Sequence, residues 1–322
     1  MAAHRIADLV GEFTVVWKSE RCSKILNHAS GLVEIESDIM KTAKKSTLIS
    51  AAVGLAMISG NTIAAGAFTG IHPLLSDRFT IGAGAFWPSI SGHFSIDPPG
   101  GGNGTDVDFQ KDAGLDDSLT LPAFGATWRL SNRWRVQGEF FTVGQSTTHS
   151  ARKILDIGGD LIEVGAKLKT DSDLDIARGF LGYSFVKTDK ADMGAGLGLH
   201  YLNIDISVVG EIKVGNEERK ARRGIDDWAV LPNVGAYAGY AFSPKWFVGG
   251  RVDWISANIN DYDGAIWNAE ATVQYQMFKH FGVGVAYRYL DFELGKDNGT
   301  KKADWFIQSE YSGPMLFFTA NF

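Results

Sequence analysis

From about residue 66 onward the chain alternates between two kinds of side chain. Across Trp267 to Met277, Asn268, Glu270, Thr272, Gln274 and Gln276 share one parity, while Ala269, Ala271, Val273, Tyr275 and Met277 share the other. Across Trp246 to Trp254, Arg251 and Asp253 oppose Trp246, Val248, Val252 and Trp254. A period of two is the signature of β-strands whose faces meet different surroundings. The breaks between such runs fall into two classes. Tight ones lie at Ser131-Asn132-Arg133, Lys187 to Asp192, Ser243-Pro244-Lys245 and Phe278-Lys279-His280, and longer polar ones at Pro98 to Asp117, Lys153 to Asp173, Gly215 to Asp227, Asn260 to Gly264 and Gly295 to Ala303. Four turns and five loops join ten strands and leave both ends on one side. Eight strands is the alternative, if one pair is not embedded. The segments Ala126 to Gly138 and Tyr237 to Gly249 repeat one hairpin theme.

One apolar face per strand predicts an all-β, antiparallel up-and-down transmembrane β-barrel. A Lys or Arg on the lipid face at mid-membrane costs about 2–4 kcal/mol, so the charged parity points inward. That set comprises Arg129, Arg135, Glu139, Arg178, His200, Arg251, Asp253, Glu270, Arg288 and Glu310. Both signs are present, so these side chains are expected to pair across the lumen as a plug that leaves little room for a wide channel. Trp128, Trp134, Trp246 and Phe281 lie near the tight turns, and Trp87, Trp254, Trp267 and Trp305 toward the other strand ends. This spacing suits two aromatic girdles.

Composition agrees with a large sheet: 38 glycines and 12% aromatics against 8 prolines. A mean hydropathy of −0.05 argues against a helical membrane protein. The apolar stretch Leu48 to Gly60 is shorter than the roughly 20 residues a spanning helix needs. It follows Met40, Lys41, Lys44 and Lys45 and leads to small residues at Ala64-Ala65, the layout of a secretory signal peptide over residues 40–65. Residues 1–39, which hold the lone Cys22, are read as an upstream extension from a misassigned start, and residues 66–322 as the barrel. An exported chain without cysteine has no disulfide framework. The net charge of −6 comes with no basic patch interleaved with aromatics, so nucleic acid is not an expected partner.

At the C-terminus Leu316, Phe318, Ala320 and Phe322 alternate and the chain stops on phenylalanine. This resembles the terminal strand of bacterial outer-membrane β-barrel proteins. The resemblance covers Met40 to Phe322 as an architecture. It implies the outer membrane of a Gram-negative bacterium, lipid and lipopolysaccharide as surroundings, and the barrel-assembly machinery as a partner reading Leu316, Phe318 and Phe322. With Gln308, Glu310 and Ser312 taken as inward, a register shift is expected near Gly313-Pro314, where a bulge would supply it.

Two enzyme families on such scaffolds can be tested against these residues. Omptin-like proteases use an Asp-x-Asp pair with an Asp-His pair. Asp106/Asp108 and Asp261/Asp263 have the first spacing, but no histidine stands four residues after an aspartate. Lipid A deacylases resemble His93-Phe94-Ser95, in which a serine nucleophile and a histidine base two apart share a strand face. Ile96 stands where that family has asparagine, and the motif lies in the first strand rather than near the end. His93 and Ser95 are therefore weak catalytic candidates beside ordinary rim residues. His200, among Gly194, Gly196 and Gly198, is expected to pair with Asp253 or Glu270. No metal spacing appears and no cofactor is expected. The sequence thus favours a non-enzymatic outer-membrane scaffold with outward loops for surface, lipid or small-ligand contact. A narrow pore for small or hydrophobic solutes comes second, and a lipid A-modifying hydrolase third.

Overall fold

Strand after strand pairs with its sequence neighbour until the sheet closes on itself. The computed structural model describes residues 70–98, 102–214, 217–259, 262–297 and 304–322. Residues 1–39, the segment 40–65 expected to be a signal peptide, Cys22 and Asp261 lie outside them. The strands are β1 (Phe79–Phe86), β2 (Ser89–Ile96), β3 (Val107–Asp108), β4 (Leu121–Arg129), β5 (Trp134–Ser150), β6 (Leu155–Ile157), β7 (Asp160–Ile162), β8 (Lys167–Lys187), β9 (Ala191–Val214), β10 (Glu217–Ala241), β11 (Trp246–Ile259), β12 (Tyr262–Gln276), β13 (Phe281–Lys296) and β14 (Trp305–Asn321). Antiparallel pairing runs β1-β4-β5-β8-β9-β10-β11-β12-β13-β14, and β14 pairs back onto β1. That is a closed ten-stranded barrel.

The tight breaks are turns as expected. Ser131 and Ser243 accept backbone N–H groups two and three residues on, which is why serine suits those corners. The long breaks are not all loops. Gly215 to Asp227 lies almost wholly in β10, and β8 begins at Lys167, inside the expected Lys153 to Asp173 loop. These stretches form a wall that stands beyond the outer aromatic residues, and its outer side is exposed and polar, so charge is compatible with strand there. Asp226, Lys220 and Arg222 face out, while Ile225 is buried inside.

The same change of surroundings overturns the expected bulge. β13 and β14 stay in one register from Phe281↔Ala320 to Lys296↔Trp305. Trp305, Ile307, Tyr311, Thr319 and Asn321 are all buried inward, and Phe318 and Phe322 are exposed outward. Gln308, Glu310 and Ser312 therefore share the outward parity of Phe318. Along one unbroken strand the inner face changes from apolar to polar. The outer face changes the opposite way. The inversion recurs in β8 (Leu174 and Ile176, then Arg178), in β10 (Ile225 and Leu231, then Asn233), in β12 (Ile266, then Asn268) and in β13 (Leu294, Phe292 and Leu290, then Arg288). Toward the turns the outside is apolar and the lumen polar, as lipid demands. Beyond the girdle the outside is polar and the lumen a dry core, as in a water-soluble β-protein.

Gly313-Pro314 answers a different need. β1 and β2 are one path interrupted at Trp87-Pro88, and β14 pairs with β1 on one side of the break and β2 on the other. Trp87 N–H donates to the Pro314 carbonyl at 3.0 Å. A Cβ at Gly313 would stand 2.2 Å from the Trp87 carbonyl oxygen, so only glycine lets the neighbouring strand kink there.

Loops close the upper lumen. The β6–β7 hairpin and the segment around β3 fold inward, joined by Thr105 N–H to the Asp156 carbonyl and Gly158 N–H to the Ile96 carbonyl. Phe94, Phe109, Ile157, Ile162 and Leu168 are buried among them, each contributing about 1.5–3 kcal/mol of apolar burial.

At the turn end the short helix α1 (Pro73–Ser76) crosses the mouth. Its N-cap His72 accepts Leu74 N–H at Nδ1, and its ring lies 5.4 Å from that of Phe247. Arg129 and Lys187 donate to the Leu74 and Leu75 carbonyls. Burial lowers the His72 ring to about 4, against a partial pull the other way from the Lys245 backbone. A proton on Nδ1 would also cancel the cap. The docked helix is therefore fully favoured above the unfolded value of 6.5 and loses support as pH falls toward 4. Protection of the Leu74 and Leu75 amides, taken as the exchange rate relative to the intrinsic rate at each pH, should fall across that window and stay level with pH in His72→Gln.

Candidate functional site

The polar lumen is organised in two layers. In the middle, Arg178 on β8 grips Asp253 on β11 with two nitrogens along one edge of its guanidinium, Nε at 2.6 Å and an Nη at 2.8 Å. Arg251 donates to the same carboxylate at 3.0 Å and to Glu139. Arg288 on β13 donates to Glu270 at 2.6 Å and to Glu139 at 2.8 Å. Three arginines and three carboxylates thus cross-link β5, β8, β11, β12 and β13. Hydrogen-bonded pairs compensate the desolvation that isolated charges could not bear.

His200 joins this belt through neutral partners. Nδ1 contacts the Asn233 amide oxygen and Nε2 the Asn268 amide nitrogen, each at 3.2 Å. Asn268 in turn donates to Asp253. The expected direct pairing with Asp253 or Glu270 is not made, because two asparagines occupy the positions between.

The second layer lies at the turn end. Arg129, Arg135 and Lys187 surround one carboxylate, Asp192, at 2.8, 3.6 and 3.2 Å. Ser184 donates to the other oxygen of Asp192 at 2.6 Å and meets the Tyr237 hydroxyl at 2.9 Å. The Arg135 guanidinium lies over the Tyr237 ring, 3.2 Å from its centroid. Between the layers is a cavity of about 240 Å³, floored by Leu74 and Leu75.

Nine of the ten charged residues expected inside are inside. Glu310 is not: it is on the outer face of β14, hydrogen-bonded by the Tyr289 hydroxyl. The rule that charge points inward presumes lipid outside, and at that height the outer face of β14 carries the polar Gln308, Glu310 and Ser312 instead. Trp305 is corrected for the same reason. It is buried inward, edge-on to Tyr262, and is no part of a girdle, whereas Trp87, Trp254 and Trp267 are exposed outward. Leu316, Phe318 and Phe322 all face out.

His93 and Ser95 share an outward face of β2, opposite Gln308 and Phe306 of β14. His93 Nε2 stands 3.8 Å from Asp106. The sequence hid this approach, since the two residues meet only because β3 pairs with β2. Asp108 is occupied by Lys111 and by the Gln110 and Lys111 backbone N–H groups. Asp263 is exposed on β12, away from this face. A nucleophile needs a base in hydrogen-bond reach, and among the described residues Ser95 and His93 share no hydrogen bond, so this pair is not joined as nucleophile and base. Among the described residues no group of three His, Cys, Asp or Glu side chains could hold a metal ion.

An upper cluster that sequence reading missed joins Lys296 to Asp227 and to the Tyr262 hydroxyl, each at 2.6 Å. Its members come from three strands that meet only in the closed barrel.

No protein-family model matches the chain, and no curated protein does. Solved structures similar in overall architecture include the outer-membrane protease OmpT from Escherichia coli, with 11% identity over 76% of this chain and 97% of that one at a TM-score of 0.48. The toluene transporter TodX from Pseudomonas putida has 10% identity over 78% and 91% at 0.31. The attachment invasion locus protein Ail of Yersinia pestis has 10% identity over 75% and 98% at 0.29.

Proposed function

We propose that the protein is an outer-membrane barrel of a Gram-negative cell, sealed within, whose working surface is the wall and loops held beyond the bilayer. There it meets lipopolysaccharide, other surface molecules or small ligands without catalysing a reaction. One observation carries this reading: the lumen is blocked twice, by the arginine–carboxylate belt at mid-height and by the apolar core around Phe94, Phe109 and Ile157 beyond it. A solute would have to break several charge-assisted bonds and displace a packed core to cross, which disfavours the pore reading. The outward Leu316, Phe318 and Phe322 would be what the barrel-assembly machinery reads.

Conductance of the purified, folded barrel in a planar lipid bilayer tests this. Silence is expected from protein whose barrel is shown to be closed by its heat-dependent gel mobility. Stable unitary current steps would overturn the sealed reading in favour of a pore.

A further inference from the structure

The two charged layers are not alike. The middle belt balances three arginines with three carboxylates, whereas the layer at the turn end sets Arg129, Arg135 and Lys187 around Asp192 alone. Ser184 and Tyr237, its other partners, are neutral. Cations held out of bulk water call for a counter-charge. Arg135 is the least satisfied of the three. Its contact with Asp192 is long, and its buried Nε has no hydrogen-bond partner. Gln137, two residues on along the same inward face of β5, also buries an amide oxygen without a partner. Its amide can equally present its N–H₂ group.

Both side chains line the cavity between the layers, together with Glu139 and Glu270, whose charges Arg251 and Arg288 already meet, and an apolar stretch that includes Ala123, Phe247, Met315 and Phe317. Small residues make the room: a Cβ on Gly239 or Gly249 would collide with the Phe247 ring, and one on Gly284 with the Phe317 ring. A chamber that offers unspent donors of Arg135 and Gln137 together with a compact apolar stretch is complementary to an amphiphilic anion.

We propose that this chamber is a binding site for a small organic carboxylate. Its head would take the free Arg135 and Gln137 donors, and its short apolar body would lie against Phe247, Met315 and Phe317. Arg135 supplies the specificity, because a planar guanidinium matches a carboxylate better than a point charge does. The site is independent of the outer wall, so failure of one reading leaves the other standing.

Isothermal titration of the folded full chain with benzoate tests it. Benzyl alcohol serves as the neutral analogue and inorganic phosphate as an anion without an apolar body. Saturable benzoate binding is expected, with both comparison compounds at least tenfold weaker. Loss of one hydrogen bond to a charged group is worth roughly tenfold to a hundredfold in affinity, so Arg135→Gln should lose at least tenfold and Arg135→Lys should recover part of it. Met315→Trp, which narrows the chamber and leaves Arg135 and Gln137 in place, should also abolish binding, and it provides the test if Arg135→Gln does not fold. Equal binding of benzyl alcohol, equal binding of phosphate, full affinity in Met315→Trp or in folded Arg135→Gln, or no saturable heat with benzoate would each overturn the proposal.

Discussion

Asp253→Ala should lower the unfolding free energy of the barrel by about 3–5 kcal/mol, the cost of stranding buried charges when one partner of a pair is removed. Asp253 is wholly buried and receives two bonds from Arg178 together with one from Arg251 and one from Asn268. Without it, three arginines face Glu139 and Glu270 only. The measurement is the urea midpoint of unfolding followed by tryptophan fluorescence in detergent. The double replacement Arg178→Met with Asp253→Leu should be milder than Asp253→Ala, because removing both partners leaves less charge uncompensated. An unchanged midpoint for Asp253→Ala would mean that water, not protein, solvates the belt.

Val285→Arg should cost about 2–4 kcal/mol by placing a guanidinium in lipid near mid-membrane. Val285 is 55% exposed, lies on β13 halfway between Phe281 and Tyr289, and has the outward Val273 and Leu316 as its cross-strand partners. The expected result is a reduced yield of closed barrel when the chain is refolded into phosphatidylcholine vesicles, with Val285→Leu close to the parent. Folding of Val285→Arg at parental yield would place this face in water and remove the assignment of the lower wall to lipid.

Much of this architecture could be read locally. Asn268 to Gln276 and Arg251 to Asp253 reveal their inward parity within a few residues, because strand geometry sends alternate side chains to opposite faces whatever lies around them. Turn positions were legible for the same reason: Ser131 and Ser243 act on backbone two and three residues away. The ten-strand count follows from these two local signals. What parity cannot supply is the solvent on each side. The rule that charge points inward holds only where lipid is outside, so it placed Arg178 and Arg288 inside, where they are, and misplaced Glu310 and Trp305, which lie beyond the girdle.

The candidate site divides along the same line. Which residues would enter the lumen was set by the chain's own alternation. Which of them would meet was not, because Glu139, Arg178, Asp253, Glu270 and Arg288 come from five strands whose relative heights depend on the register of every pairing between them. Closure brought His200 to two asparagines instead of an aspartate. It gathered three cations around Asp192 and left Arg135 with donors to spare. The sequence by itself determined the faces, the turns and the pool of inward charge, since these rest on geometry within a strand. Only the closed barrel decided the partners, the cavity between the two layers and the height at which inside and outside exchange character, since these rest on contacts between strands and on the boundary between lipid and water.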